Sequence, residues 1–306
     1  MIYTLTLNPA VDHVIKVNDF SEGTLNRIEE ESFFPGGKGI NVSIMLSHLG
    51  VENKALGFLA GFTGRFIEEK LQEKGCCTDF IYLEHGCTRI NTKMNCNGKE
   101  TEINGPGSCI QKKELLQLYR RIEQMDQGDC IVLSGSIPQN MSPFLYEEIL
   151  DKVKNKKIQI VADTTKEKML GLLKYHPFLI KPNKQELEEM FHTKCLTEKE
   201  LIFYAHKLQR SGARNVLVSM DKDGALFLSE EGRVYKVIPP KKEVVNSVGA
   251  GDAMVAGFLA GYLKTKDKVM ALKTACASGS ATAFQSFLAE KPEIIEVYNE
   301  VTVINI

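Results

Sequence analysis

The segment best suited to chemistry is NSVGAGDAM at residues 246–254, where a glycine-rich turn leads into an apolar run. Small residues at a helix start leave backbone N–H groups and the positive end of the helix dipole open to an anion. Asp252 falls on the first turn of that helix, so its carboxylate faces whatever the turn binds. Gly249, Ala250 and Gly251 are candidates to donate N–H groups to a phosphoryl group. By glycine content alone, an ordinary glycine turn with Asp252 as a helix-terminal residue is equally compatible.

A second glycine segment, FPGGKGINV at residues 34–42, also leads into a predicted helix and contains a cation. It lacks the P-loop pattern, and the first strand does not end in the dinucleotide fingerprint. The backbone of Gly36 and Gly37 could approach a polyhydroxy substrate, Asn41 could bind hydroxyls, and Lys38 could bind phosphate. The alternative is a structural turn with a solvated lysine.

Repeated strand and helix patterns surround these two segments. Predicted strands are short and apolar, at residues 2–7, 55–59, 129–134, 157–162, 177–180 and 214–219. Predicted helices have 3.6-residue periodicity, at residues 40–49, 66–74, 112–126, 143–154, 184–191, 198–210, 252–263 and 268–284. A hairpin is predicted over residues 225–238. Short strands alternating with helices predict an α/β fold with a mainly parallel sheet covered on both faces.

A more polar region interrupts this pattern. Residues 87–104 alternate around Asn97-Gly98, which is a strong hairpin signal. Residues 13–18 and 27–34 are predicted as two further strands. We therefore expect one α/β domain over residues 1–306, with a small β lid formed by about residues 11–34 and 87–105.

The bulk composition excludes several classes of protein. The 306 residues are 43% hydrophobic and 25% charged, with a formal net charge of −1. A near-neutral chain has no electrostatic basis for broad contact with nucleic acid or an anionic membrane. The N-terminus lacks the features of a signal peptide. None of the eight cysteines forms C-x-x-C, so we expect reduced thiols and a cytoplasmic protein.

Seven segments together carry a resemblance to a known family. In chain order they are TLTLNPAVD (4–12), GGKGINV (36–42), TRIN (88–91), ETEIN (100–104), SGSIP (134–138), KPNKQEL (181–187) and VNSVGAGD (245–252). In these segments the chain resembles the PfkB, or ribokinase-like, family of sugar kinases. Within it the chain is similar to the subgroup that phosphorylates fructose 1-phosphate or tagatose 6-phosphate. The resemblance implies a three-layer α/β/α ribokinase-like domain.

The resemblance also implies roles for the substrate residues. Asp252 would take the proton of the acceptor hydroxyl, and the amides of residues 249–251 would bind the transferring phosphoryl group. The implied substrate-binding residues are Asp12, Arg27, Gly36, Gly37, Lys38, Asn41, Arg89, Glu102, Asn104 and Ser136. Among them Arg27, Lys38 and Arg89 are the cations for the phosphate already on the sugar. Each alone could be a solvated charge, Asp12 a turn residue, and Glu102 with Asn104 a cross-strand polar pair.

ATP and Mg²⁺ are the implied cofactors. Asn183 and Glu186 are spaced as a capping box, and the resemblance adds that they bind Mg²⁺ through water. The implied nucleotide-binding residues are Lys181, Asn183, Ser219, Met220, Asp221, Lys222, Asp223, Gly224, Gly251 and Asp252. Asp221 departs from the glycine usual in the nucleotide turn of the family, so the turn itself could be shifted.

The expected reaction is transfer of phosphate from ATP to fructose 1-phosphate, giving fructose 1,6-bisphosphate. Tagatose 6-phosphate is the alternative substrate, and a non-catalytic sugar-phosphate sensor is the alternative from another class. An intact Asp252 argues against a sensor, because binding alone needs no base. We expect a homodimer through the lid, whose strands need a cover, and no nucleic acid or membrane partner.

Overall fold

The structure, a computed structural model, describes residues 1–194 and 196–306. Its strands are β1 (Ile2–Thr6), β2 (Ala10–Val17), β3 (Glu30–Gly36), β4 (Asn53–Ala60), β5 (Cys77–Leu83), β6 (Arg89–Cys96), β7 (Lys99–Asn104), β8 (Cys130–Ser134), β9 (Gln159–Asp163), β10 (Leu179–Ile180), β11 (Asn215–Ser219), β12 (Ala225–Leu228), β13 (Val234–Ile238) and β14 (Thr302–Asn305). Its α-helices are α1 (Lys38–His48), α2 (Gly61–Glu73), α3 (Lys112–Glu123), α4 (Leu145–Asp151), α5 (Lys166–Leu172), α6 (Lys184–Met190), α7 (Glu198–Arg210), α8 (Ala250–Thr265), α9 (Lys268–Ala283) and α10 (Lys291–Tyr298).

The larger sheet has the strand order β14-β13-β12-β11-β10-β9-β8-β1-β4-β5. Pairing is parallel from β11 to β5, and β12, β13 and β14 add an antiparallel edge. Thr6 lies beside Ser134, and Ser134 beside Asp163, at the carboxyl ends of three neighbouring strands. Polar side chains from distant segments therefore meet at one edge, where open α/β sheets bind their ligands.

Helices cover both faces of this sheet. Alternate residues of β8 enter different hydrophobic clusters: Val132 packs with α1, α2, α8, α9 and α10, and Leu133 with α3 to α7. β8 is wholly buried because helices cover it on both faces, and this is why its side chains are apolar on both. The predicted three-layer α/β/α fold is confirmed.

The second sheet has the order β3-β2-β6-β7, and its strands lie in the segments predicted for the lid, so we refer to it by that name. β2 pairs with β6 in parallel, and the outer strands are antiparallel to their neighbours. β2 begins at Ala10, earlier than the predicted strand at residues 13–18, so Asp12 lies within a strand of this sheet. β3 begins later than predicted, because Asn26 bonds the carbonyls of Ser21 and Thr24 and closes a local turn.

The prediction of reduced thiols concerned eight cysteines. Seven of them are free in the structure, and Cys195 lies outside the described residues. Among the helices in the described parts of the chain, none is long and apolar enough to cross a bilayer.

Candidate active site

Asp252 lies on the first turn of α8. The turn begins at Gly249, whose φ of 81° is a left-handed conformation. The first helical hydrogen bond runs from Ala253 N to Gly249 O at 2.8 Å, so the amides of Gly251 and Asp252 precede the regular ladder. Only 6% of Asp252 is exposed, and Asn41 Nδ2 donates to its Oδ2 at 2.8 Å. The predicted partners from the two glycine segments are therefore in contact.

A buried ion cluster lies beside this turn. Asp163, at the end of β9, is fully buried. Its Oδ1 accepts a hydrogen bond from Lys38 Nζ at 3.0 Å, and Lys181 Nζ lies 3.4 Å from Oδ2 as an ion pair without a hydrogen bond. A Cβ on Gly251 would lie 3.0 Å from Lys181 Nζ, so this ammonium borders the glycine turn. Two cations thus converge on the place where the helix start would hold a phosphoryl group.

Charge and burial separate the two aspartates of the site. Burial, and after it the charge of Asp163, raise the pKa of Asp252 to about 7, although Lys38, Asn41 and Lys181 act in the opposite direction. Burial alone would also raise the pKa of Asp163, but Lys181 and Lys38 hold it below its ordinary value. Asp163 is therefore the permanent anion, and Asp252 is the group able to accept a proton near neutral pH.

The lid brings Asp12 over the glycine segment. Its carboxylate lies so close to Gly36 that a Cβ there would stand 2.6 Å from Asp12 Oδ2. Lys93 Nζ lies 3.2 Å from the same oxygen, and Asn91 Nδ2 donates to Oδ1 at 3.4 Å. A side chain at position 36 would therefore displace the Asp12 carboxylate.

Asn8 joins two of the predicted substrate-binding residues. Arg89 Nη2 donates to the backbone oxygen of Asn8 at 3.0 Å, and Asn8 Nδ2 donates to Ser136 Oγ at 3.4 Å. Arg89 also bonds the carbonyl of Gly105, while its buried Nε bonds none of the described residues. Arg89, the predicted phosphate ligand, and Ser136 therefore lie in one hydrogen-bonded cluster.

The predicted nucleotide residues lie side by side. Asn183 caps α6, with Oδ1 accepting from Glu186 N at 2.7 Å and Glu186 Oε2 accepting from Asn183 N at 2.8 Å. Asn183 also pairs with Ser219 as a bridge in the sheet. The nucleotide turn closes through Met220 N to Gly224 O at 2.8 Å. Asp221 adopts a left-handed φ of 50°, which aspartate tolerates, so it does not prevent the turn.

Five further candidates are exposed. Arg27 lies exposed in the loop between β2 and β3. Glu102 and Asn104 are exposed on β7, and Asn104 donates to Glu102 at 3.3 Å, which is a polar pair along one strand. Lys222 is exposed in the nucleotide turn, as is its neighbour Asp223. The remaining candidate, Gly37, starts α1 with a φ of 125°.

Two functional candidates were missed by the sequence analysis. Asp163 directly follows the predicted strand at residues 157–162, so a polar residue at a strand end was the available signal. Lys93 belongs to the alternating run of the hairpin, where it was not distinguished from the other polar residues.

An open parallel sheet with an anion-binding helix start, a poised carboxylate and converging cations at its carboxyl edge defines a small-molecule phosphotransferase. Residues 5–293 match the sequence model of the pfkB family carbohydrate kinases. The chain is 44% identical over 303 residues to a 1-phosphofructokinase of Bacillus subtilis, covering 99% of both chains. It is 38% identical to a D-tagatose-1-phosphate kinase of Bacillus licheniformis, again covering 99% of both.

A solved structure extends the likeness to three dimensions. The phosphofructokinase-2 of Escherichia coli, in complex with substrates and products, superposes with a TM-score of 0.92 at 25% identity and 98% coverage of both chains. The chain belongs to the pfkB family of carbohydrate kinases.

Proposed function

We propose that this kinase transfers the γ-phosphoryl group of ATP to a ketose 1-phosphate, and that fructose 1-phosphate is the substrate. The carrying observation is the buried Asp252, bonded to Asn41 at 2.8 Å and placed on the glycine turn at the start of α8. The end-to-end identity of 44% with a 1-phosphofructokinase supports the choice of sugar.

The phosphoryl transfer needs one group in the protein to accept the proton of the sugar hydroxyl. The C6 hydroxyl oxygen forms a bond to the γ-phosphorus, the bond to the β–γ bridging oxygen breaks, and ADP leaves. Asp252 accepts the hydroxyl proton, which a carboxyl group with a pKa of about 7 can do near neutral pH. Amides at the start of α8, with Lys38 and Lys181, stabilise the charge on the transferring group.

The cluster of Arg89 and Ser136, joined by Asn8, suits the phosphate already on the sugar. A ketose bisphosphate product carries its two phosphates at opposite ends of the sugar, so this cluster would bind the phosphate that Asp252 does not serve. Asp12, over Gly36, would accept hydroxyls between those ends. Lys38, expected to bind the sugar's phosphate, contacts Asp163, so we assign it to the transferring phosphoryl group.

ATP and Mg²⁺ fit the chemistry of the groups present. The nucleotide would lie along Ser219–Gly224, next to Asn183. Glu186 uses Oε2 in the helix cap, which leaves Oε1 for a metal-bound water. Oxygen donors of this kind suit Mg²⁺ held largely through water, and Mg²⁺ would neutralise the ATP phosphates.

The choice of sugar is tested by a panel of ketose phosphates. ADP release is measured with fructose 1-phosphate, tagatose 1-phosphate, fructose 6-phosphate and tagatose 6-phosphate. We expect the highest kcat/KM with fructose 1-phosphate. Tagatose 1-phosphate is included because a relative at 38% identity is named D-tagatose-1-phosphate kinase. Tagatose 6-phosphate is included because it is the alternative substrate that the sequence predicted. A higher kcat/KM with any other sugar contradicts the assignment, and binding without ADP release would favour a sensor.

We also propose that the lid pairs with the lid of a second copy. Phe33, Ile90 and Ile103 share the face of the lid opposite to Asp12 and are 46%, 40% and 63% exposed. Apolar side chains grouped on a sheet face favour a cover of the same kind.

Ile103→Lys tests this pairing. We expect a dimer by light scattering at micromolar concentration for the unaltered protein, and a shift towards monomer in the variant. The control is Leu116→Lys, which alters a side chain 46% exposed on α3. A monomeric wild-type protein, or equal masses for wild type and Ile103→Lys, contradicts the proposal.

A further inference from the structure

One face of the lid strand β6 is a row of polar groups. Arg89, Asn91 and Lys93 alternate along the strand, so their side chains share one face. Asp12 lies directly beside Asn91 in the neighbouring strand and points to the same face. The row thus borders the carboxylate that we assign to the sugar hydroxyls.

Lys93 does not form an ion pair with the carboxylate directly opposite it in the sheet. Glu102 is directly opposite it on β7, where cross-strand ion pairs usually form. Its Nζ instead lies 3.2 Å from Asp12 Oδ2, diagonally across the sheet, and the two side chains are only 12% and 14% exposed. This ion pair is therefore better shielded from water than the surface pairs of the lid, such as Lys16 with Glu30 at 2.9 Å.

Asn91 is held in the same arrangement at a cost. Its Nδ2 donates to Asp12 Oδ1, but its buried Oδ1 accepts no hydrogen bond from the residues that the structure describes. An orphaned buried acceptor destabilises a fold, so a compensating function is expected. The gain visible here is the fixed orientation of Asp12 above Gly36.

We propose that Lys93, with Asn91, is a positioning residue that sets the affinity for the sugar phosphate by holding Asp12. The inference rests on the proposed function, because it takes Asp12 as the acceptor of sugar hydroxyls. An ionised carboxylate has about four acceptor positions, and two are used by Lys93 and Asn91. The others stay open to hydroxyls, while the ammonium offsets the repulsion between Asp12 and a substrate phosphate.

Lys93→Met tests this role through steady-state kinetics. We expect KM for the ketose phosphate to rise about 10- to 100-fold, while kcat and KM for ATP stay within about threefold. Lys93→Arg keeps the charge and should restore most of the affinity. Lys16→Met is the matched control, since it removes an ion-paired lysine from the exposed part of the same sheet.

A double-mutant cycle separates positioning from direct contact with the ligand. Binding of the preferred ketose phosphate is measured by calorimetry for wild type, Lys93→Met, Asp12→Asn and the double variant. If Lys93 acts through Asp12, its replacement should cost less than about threefold in the Asp12→Asn background. Losses that multiply across the cycle would assign Lys93 directly to the ligand and overturn the inference.

The remaining outcomes are also decisive. Equal kinetics for Lys93→Met and wild type, or equal rises in KM for sugar and ATP, contradict a positioning role. If Lys93→Met does not fold, Lys93→Gln and Asn91→Ala carry the same expectation for KM. Failure of wild type to phosphorylate any ketose phosphate would instead refute the proposed function.

Discussion

Asp252→Asn is expected to lower kcat by about 10²- to 10⁴-fold while the affinity for ATP is unchanged. The amide keeps the size of the side chain and can still accept from Asn41, but it cannot take a proton. ADP release under saturating substrates measures kcat, and calorimetric titration measures ATP binding. The control is Asp151→Asn, which alters an exposed carboxylate of α4. Retention of more than about a tenth of kcat would exclude Asp252 as the base.

The same variant should be more stable than the wild type at alkaline pH. The folded-state pKa of Asp252 is raised from 3.8 to about 7, so the folded protein favours the neutral acid. The stability that this preference contributes is fully present below about pH 4. It is lost as the pH rises to about 7, and the free energy lost by then is roughly 4 kcal/mol. The melting temperature of Asp252→Asn should therefore exceed that of wild type at pH 8, and the difference should disappear towards pH 4. Equal differences at both pH values would contradict the raised pKa.

Such a result would identify Asp252 as a residue kept for activity at the expense of stability. A carboxyl group inside the site costs free energy when it ionises, and an amide of the same shape does not. An ordinary helix-terminal aspartate has the opposite property, because it stabilises the helix start when ionised. Stability and activity together therefore separate the two interpretations that the glycine turn alone left open.

The sequence predicted the parts of the site that consist of local patterns. The glycine turn before Asp252 and the capping box of Asn183 and Glu186 are formed by residues close in the chain. Their geometry follows from helix starts, which obey the same physical rules in any fold. The order of most strands and helices followed from hydrophobic periodicity for the same reason, but the helices α5 and α10 were not predicted.

Contacts between distant segments could not be predicted in this way. Lys38 and Asp163 are 125 positions apart, and nothing in either local pattern selects this pairing over a solvated lysine. The strand β5 was missed because it lies at the sheet edge, where only alternate residues need burial, and β14 because it depends on pairing with β13. Asp12 was predicted within the lid but before its first strand, and only the pairing of β2 with β6 shows that the strand already includes it.

Lys38→Met is expected to lower kcat about 10²- to 10³-fold and also to destabilise the protein. Its ammonium lies 3.0 Å from Asp163 and is the cation contributed by the second glycine segment. Burial acts to lower the pKa of Lys38, but Asp163, Asp252 and Glu186 outweigh it and raise the pKa, so the cation persists at every working pH. Its loss removes positive charge from the place where the phosphoryl group gains negative charge.

The loss of stability follows from the carboxylate left behind. Asp163 is fully buried and would retain only Lys181, at 3.4 Å, as a described cationic partner. The expected decrease in the free energy of unfolding is about 1–3 kcal/mol, less than for a fully buried pair because the Lys38 side chain is 38% exposed.

Lys38→Arg and Lys70→Met complete the experiment. Arginine keeps the charge next to Asp163 and should recover the stability, and it recovers kcat only if its larger head group fits beside the glycine turn. Lys70→Met removes an exposed lysine paired with Glu73 at 2.7 Å and should leave both quantities unchanged. Activity of Lys38→Met within tenfold of wild type would assign the transferring charge to Lys181 and the helix start alone. A normal kcat with a raised KM for the sugar phosphate would return Lys38 to the phosphate-binding role that the sequence first predicted.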